Sequence, residues 1–176
     1  RLVGERAARR PLQHLLEDVE FYGRAFAVAP GVLVPRPETE VVVEAALAAL
    51  PRRPAAPLRA GDIGSGAGVI GLTLAAERPD VEVTCIDRDP AAALLTARNA
   101  VRLGVAARVH VVRADLVAPL AAGALDLLVS NPPYVPSGVI ATLAPEVRDH
   151  DPRLALDGGP DGLVVIARLL AGAGHV

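Results

Sequence analysis

From residue 58 onward, short apolar runs alternate with helix-length segments, and few folds accommodate that order. Leu58–Ile63, Val81–Asp87, 108–113 and 125–130 have the length and apolar content of buried strands. Residues 69–78 read as a helix ended by Pro79, and 90–103 as a helix with Pro90 in its first turn and Gly104 just past its end. A further helix begins at 163–170. Strands alternating with helices of this length predict right-handed βαβ units around a parallel sheet, which makes the fold class α/β. The 176 residues suffice for one domain with a substantial core.

The segment before this alternation has another character. Residues 5–17 carry charged and apolar residues at helical spacing. Glu20-Phe21-Tyr22-Gly23-Arg24-Ala25-Phe26-Ala27-Val28 reads as two short strands around a Gly turn. Three of the four aromatic residues fall there, which fits a small local core. In Val34-Pro35-Arg36-Pro37-Glu38-Thr39-Glu40 the prolines forbid regular structure before Glu38, and a helix follows over 41–50 with Thr39 as a candidate N-cap. Residues 51–57, with three prolines in seven, read as a linker.

Eighteen basic and 20 acidic residues leave a net charge of -2, so the totals give no sign of the basic surface that nucleic-acid binding requires. Cys85 is the only cysteine, which excludes an internal disulfide and a cysteine-rich metal site; within its apolar run it reads as a buried core residue. His14, His110, His150 and His175 show no ligand spacing, and no metal is expected. No stretch approaches the ~20 apolar residues of a membrane span. The N-terminus lacks a signal peptide's apolar core, so the cytoplasm is the expected location. A chain without a single methionine reads as a segment of something longer.

Asp62-Ile63-Gly64-Ser65-Gly66-Ala67-Gly68 sits at the end of the first strand of the alternation, where open α/β sheets bind ligands. Glycines allow a tight turn and a close approach of ligand to backbone. Gly66-Ala67-Gly68-Val69-Ile70-Gly71 also satisfies the dinucleotide spacing GxGxxG, with Asp87 about 20 residues on, so a nicotinamide cofactor has to be weighed. Two features favour S-adenosylmethionine. Asp62, just before the first glycine, suits an amino-acid ammonium reached through water or a neighbouring backbone group, whereas a pyrophosphate is repelled by that charge. Asp115, after the third strand, is placed to accept from an adenine amino group, while Asp87 can accept both ribose hydroxyls. Three acids at three successive strand ends match an ammonium, a ribose and an adenine.

Asn131-Pro132-Pro133-Tyr134 follows the fourth strand. The side-chain carbonyl of Asn131 and the backbone carbonyl of Pro132 can accept both hydrogens of one NH2 group. Prolines fix that backbone and offer no competing donor, and Tyr134 supplies a flat face against a planar amide or base. An amide nitrogen is a poor nucleophile, because its lone pair is delocalised into the carbonyl. Gripping its hydrogens orients it and stabilises the positive charge that develops as a methyl group arrives. The proton can leave afterwards to water, so no general base is assigned.

With these residues in place the chain resembles the HemK (PrmC-like) family, the protein-(glutamine-N5) methyltransferases acting on peptide chain release factors. The likeness runs through Pro11-Leu12-Gln13-His14, Glu20-Phe21-Tyr22-Gly23, Pro35-Arg36-Pro37-Glu38-Thr39-Glu40, the glycine loop, Asp87, Asp115 and Asn131-Pro132-Pro133-Tyr134. It continues through Ala144-Pro145-Glu146-Val147-Arg148-Asp149, Pro152, Ala155-Leu156, Gly158-Gly159 and Asp161-Gly162-Leu163. The Asn-Pro-Pro-Tyr motif alone is shared with adenine-N6 DNA and guanine-N2 RNA methyltransferases; the Pro35 to Glu40 segment is more selective.

The resemblance implies a Rossmann-like class I S-adenosylmethionine-dependent methyltransferase sheet preceded by a small β-hairpin. It implies the end of an N-terminal helical region over 1–34 and a catalytic domain over 35–176, incomplete in its C-terminal strands. It further implies that Gly64, Ser65, Gly66, Ala67, Gly68, Asp87, Leu116 and Asn131 contact the cofactor. Asn131, Pro132, Pro133 and Tyr134 would hold the glutamine amide of a class I release factor, with Pro35 and Arg36 lining the cleft. Arg36 is equally suited to substrate backbone or to a salt bridge with Glu38 or Glu40. A monomer, with no direct nucleic-acid or membrane partner, is expected.

Departures from the family pattern set further expectations. Ala60-Gly61 should weaken the first strand, Leu116 gives a smaller adenine contact, and a truncated sheet should bind cofactor less tightly. The readings that compete are a ribosomal-protein glutamine methyltransferase, an adenine or guanine amino-methyltransferase, and an inactive binding module.

Overall fold

The computed structural model describes residues 2–51 and 57–176, so most of the proline-rich segment read as a linker lies outside the described residues. The helical spacing of 5–17 resolves into two short helices, α1 (Leu2–Ala7) and α2 (Leu12–Leu16). The break falls at Arg9, with φ 64°, and at Pro11, which has no N–H to continue a helix. β1 (Asp18–Phe21) and β2 (Arg24–Ala27) pair antiparallel with Phe21 opposite Arg24. Their two-residue turn, Tyr22-Gly23, has φ of 51° and 68°, the double left-handed geometry that matches the twist of a hairpin. Phe21 and Phe26 meet edge to face at 6.0 Å. They join the main core and do not form the separate local core expected of them.

After one 3-10 turn over Pro37–Thr39 comes α3 (Glu40–Ala49). Thr39 stands at the N-cap as expected, but its side chain makes no capping hydrogen bond: its backbone is already helical, at φ -68° and ψ -16°. A capping residue normally has extended backbone that turns its oxygen onto the first turn.

The alternation then unfolds as read, through β3 (Leu58–Ile63), α4 (Val69–Glu77), β4 (Val81–Asp87), α5 (Pro90–Arg102), β5 (Val109–Arg113) and β6 (Leu127–Ser130). Three further helices follow: α6 (Pro145–Arg148), α7 (Arg153–Leu156) and α8 (Val164–Ala173). The four later strands form one parallel sheet in the order β5-β4-β3-β6, a Rossmann-like arrangement. None of the described helices is long and apolar enough to cross a membrane.

The sheet is buried on both faces by period-two alternation. Val81, Val83 and Cys85 join the core built with α4 and α5, whereas Ile63 and Ile86 join Leu169 of α8 in a second cluster. Burial pushes the Cys85 thiol well above its usual value, as befits a core residue. The space beside Gly61 is filled by Leu125, whose Cδ1 would lie 2.5 Å from an added Cβ. β3 is hydrogen-bonded on both edges despite its small residues.

α5 starts on Asp89, whose Oδ1 accepts the Ala91 N–H at 2.7 Å while Pro90 takes the first turn. Its buried face carries Asn99, fully excluded from solvent. Asn99 Oδ1 accepts the Ala27 N–H at 2.8 Å, and Nδ2 donates to the carbonyls of Ala27 at 3.0 Å and Ala67 at 2.9 Å. One side chain thus ties the hairpin to the glycine loop. Asn99→Ala strands three buried backbone groups and is expected to cost about 3 kcal/mol in urea unfolding. A loss under about 1 kcal/mol, an exposed-site value, would show that the link is dispensable.

Candidate active site

β3, β4 and β5 step outward in one direction, and the chain then returns to lay β6 on the other side of β3. Strand order therefore reverses between β3 and β6, and a sheet of this kind opens a crevice beyond the strand ends at that point. Ile63 lies opposite Ser130, so Gly64 and Asn131 leave the sheet side by side. The Ser130 hydroxyl donates to the Ile63 carbonyl at 2.6 Å and fastens the two strand ends together.

The glycine loop is held from beneath and left open above. The N–H groups of Gly64 and Ser65 both donate to the Ile86 carbonyl, at 2.7 and 3.1 Å. Gly66 N–H donates to Asp87 Oδ2 at 2.9 Å, and the Thr96 hydroxyl donates to the Gly66 carbonyl at 2.9 Å. Gly64 and Gly66 have φ of 75° and 57°, yet an added Cβ at either would meet nothing within 4 Å. Glycine stands there for backbone shape and for room above it. At Gly71 an added Cβ would lie 2.8 Å from Cys85 Sγ and 2.9 Å from Asp62 Cβ, so glycine lets α4 approach the sheet closely.

The three acids differ in placement. Asp62 is 1% exposed and lies behind the loop, outside the cleft lining. Its Oδ2 accepts the Gly71 N–H at 2.8 Å, and its Oδ1 has no partner among the described residues. Burial pushes its carboxyl up to about 7; the Gly71 N–H opposes that shift and the Asp87 charge adds to it. Asp87 lines the cleft, with Oδ1 also accepting the Asp89 N–H at 2.9 Å. Asp115 lines it too, and pairs with Arg168 of α8 at 2.5 Å. Leu116, next along the lining, has φ 49°, a left-handed conformation costly for a non-glycine residue.

Asn131 Nδ2 donates to Thr39 Oγ1 at 3.2 Å. Among the described residues no donor engages Asn131 Oδ1 or the Pro132 carbonyl. The segment beyond is clamped by the loop after α7. Val135 N–H donates to the Leu156 carbonyl and Gly158 N–H to the Val135 carbonyl, each at 2.9 Å, while the Ser137 hydroxyl donates to Asp157 Oδ1 at 2.5 Å. An added Cβ on Gly162 would sit 2.3 Å from the Tyr134 carbonyl oxygen, so only glycine fits against that backbone.

Arg36, read from the sequence as suited either to substrate backbone or to a salt bridge with Glu38 or Glu40, pairs instead with Asp151. Glu40 is engaged instead by the Tyr22 N–H at 2.7 Å. Asp151 and His14 are both buried, and burial is the main influence on each, raising the carboxyl and lowering the imidazole; Arg36 opposes the first shift and Asp151 the second.

One open cleft brings together Pro35, Arg36, Gly64, Ser65, Gly66, Ala67, Asp87, Asp115, Leu116, Asn131 and Pro133. Gly68, Pro132 and Tyr134 are not part of the lining, and the Tyr134 ring is 62% exposed. Thr39 and Asp157, which do line it, were not singled out as site residues by sequence reading. Thr39 was read as a cap within the Pro35 to Glu40 segment of the family likeness and given no site role, and Asp157 carried no signal.

The family comparison agrees with this geometry. Residues 38–155 match the methyltransferase small domain model, and the chain belongs to that family. The resemblance to release-factor enzymes is borne out by its relatives. It is 48% identical over 162 residues, 92% of this chain, to the release factor glutamine methyltransferase of Geobacter sulfurreducens. It is 47% identical over 97% of its length to that of Moorella thermoacetica. It spans only 55% and 59% of those two relatives. A solved structure from Pyrococcus horikoshii shares the fold, with a TM-score of 0.52 over 70% of this chain and 45% of its own, at 17% identity.

The Asp62 carboxyl makes a prediction about pH. Its folded value, about 7, lies above the unfolded 3.8. Well below pH 4 both states are protonated and burial is free of charge cost. Between about pH 4 and 7 the unfolded state ionises while the folded state resists, so stability falls across that window and levels off above 7. Asp62→Asn removes this group. Its stability relative to the wild type is expected to rise between pH 4 and 8 by on the order of 4 kcal/mol in urea unfolding. A difference independent of pH would show that Asp62 titrates normally in the fold.

Proposed function

We propose that this chain is the catalytic part of an S-adenosylmethionine-dependent methyltransferase whose substrate is the glutamine side-chain amide (N5) in the Gly-Gly-Gln loop of class I peptide chain release factors. One observation carries the reading. The Asn131 carboxamide, its nitrogen held by Thr39, leaves its carbonyl free in the same cleft as the Gly64-Ser65-Gly66 turn.

The residues present fit the cofactor. The open space above Gly64 and Gly66 admits a ligand against bare backbone. Asp87 keeps acceptor capacity beyond its two backbone bonds, enough for ribose hydroxyls. Asp115 and Leu116 border the same cleft and suit a purine with an exocyclic amine. Asp62, behind the loop, would act on the ammonium end through the intervening backbone. The cofactor, when bound, supplies an electrophilic methyl group on a sulfonium.

This chain's part is to present the amide nitrogen. Asn131 Oδ1 and the Pro132 carbonyl accept its two hydrogens, fixing its plane and favouring the positive charge that grows on nitrogen during transfer. The clamp on Val135 holds both acceptors in place, so orientation costs nothing at the moment of reaction. Pro133 and Pro35 form apolar walls, and the exposed Tyr134 ring stands ready for an incoming peptide. The proton departs afterwards to water. Relatives of this sequence carry the release-factor name, which supports the same substrate here.

Asn131→Ala is expected to lower methyl transfer to a release factor by at least about 100-fold. Calorimetry should show S-adenosylhomocysteine affinity changed by less than about tenfold. An equal loss in both would make Asn131 a cofactor ligand first. Methyl transfer by the wild type only to a ribosomal protein or a nucleobase would overturn the substrate assignment.

A further inference from the structure

Thr39 lines the cleft at the N-cap of α3, yet its hydroxyl does not cap that helix. We infer that Thr39 is a positioning residue for methyl transfer: its hydroxyl, accepting from the Asn131 nitrogen, holds that side chain with its carbonyl end toward the substrate. The inference rests on the methyl-transfer reading above.

A carboxamide has nearly the same shape at both ends. Turning it half a revolution about its last bond exchanges an acceptor for a donor. The difference matters for an NH2 substrate, which needs an acceptor and is repelled by a second NH2. Something must therefore hold the Asn131 nitrogen away from the cleft. Thr39 Oγ1 lies 3.2 Å from that nitrogen, on a residue only 6% exposed, so little water competes for the bond. Both residues border the cleft.

Thr39 is itself held by a bracket. Its N–H donates to the Arg36 carbonyl at 3.0 Å, closing the 3-10 turn that begins at Pro37. Arg36 is tied to Asp151 on one side, and Glu40 to the Tyr22 N–H on the other. The helical backbone at Thr39 forgoes the side-chain cap on the first turn of α3. The oxygen thereby becomes available to a residue 92 positions away.

The test replaces shape and polarity separately. Thr39→Val keeps the shape and loses the acceptor, and Thr39→Ser keeps the acceptor. With labelled S-adenosylmethionine and a Gly-Gly-Gln peptide, Thr39→Val is expected to lower kcat about tenfold. KM and S-adenosylhomocysteine affinity should stay within about twofold, and Thr39→Ser should restore most of the rate. In nitrogen–proton spectra the Asn131 side-chain NH2 signals should move in Thr39→Val and stay near wild type in Thr39→Ser. An unchanged kcat, or NH2 signals that do not move, overturns the inference. If the wild type transfers no methyl to glutamine, the functional reading fails first, and the spectra alone decide whether Thr39 holds Asn131. Should Thr39→Val lose the fold, Thr39→Ala carries the same measurements.

Discussion

The parallel pairing of β3 with β6 is the interaction on which the cleft depends. It puts Ile63 against Ser130, and so makes neighbours of two segments that leave the sheet 67 residues apart. A strand advances about 3.3 Å per residue, and a slip of one residue also turns every side chain to the opposite face. Such a slip would carry Asn131 away from the glycine turn and bury the wrong side of β6. The Ser130 hydroxyl bond to the Ile63 carbonyl lies at the last paired position, where fraying would otherwise begin. Register, more than any single cleft residue, brings the two halves of the chemistry within reach of each other.

Polar groups buried around the loop extend that order. Asn99, Thr96 and Asp87 between them satisfy the backbone of Ala27, Gly66 and Ala67, so the loop is shaped by partners below it and not by a ligand above. Asp62 runs the other way. It is a carboxyl sealed behind the loop with one oxygen unpartnered, held near neutrality by burial at a cost in stability. Leu116, in a left-handed conformation on the cleft wall, adds backbone strain. A buried acid and a strained residue on either side of a well-bonded turn are the kind of local cost that accumulates at functional sites.

The strands and the main helices were legible because their signals are local. Pro90, Gly104 and the apolar runs marked α5, β3, β4 and β5 to within a residue or two, and Tyr22-Gly23 marked the hairpin. The side-chain pairs were not legible. Arg36 has acids two and four residues away, yet it binds Asp151, 115 residues on, because the 3-10 turn commits Glu40 to the hairpin. Thr39 carries the residue type of a cap, and only its φ and ψ reveal that the oxygen is aimed elsewhere. Tyr134 was read as a face of the site and proves mostly exposed, since the proline pair directs Pro133 and not the ring into the cleft. Residue type and spacing specify backbone well, but pairings at separations near 100 are set by topology.

The two motifs of the sequence are therefore parts of one device. Asn131-Pro132-Pro133-Tyr134 supplies acceptors, but an asparagine alone does not define which of its ends is the acceptor. Pro35-Arg36-Pro37-Glu38-Thr39-Glu40 brings a partner for its nitrogen. Its prolines place the turn, Arg36 and Glu40 anchor it to opposite parts of the fold, and Thr39 between them meets the Asn131 nitrogen. The bracket holds the Asn131 nitrogen and walls the same cleft with Pro35, so the longer motif and the tetrapeptide border one cleft although Thr39 and Asn131 lie 92 residues apart in sequence.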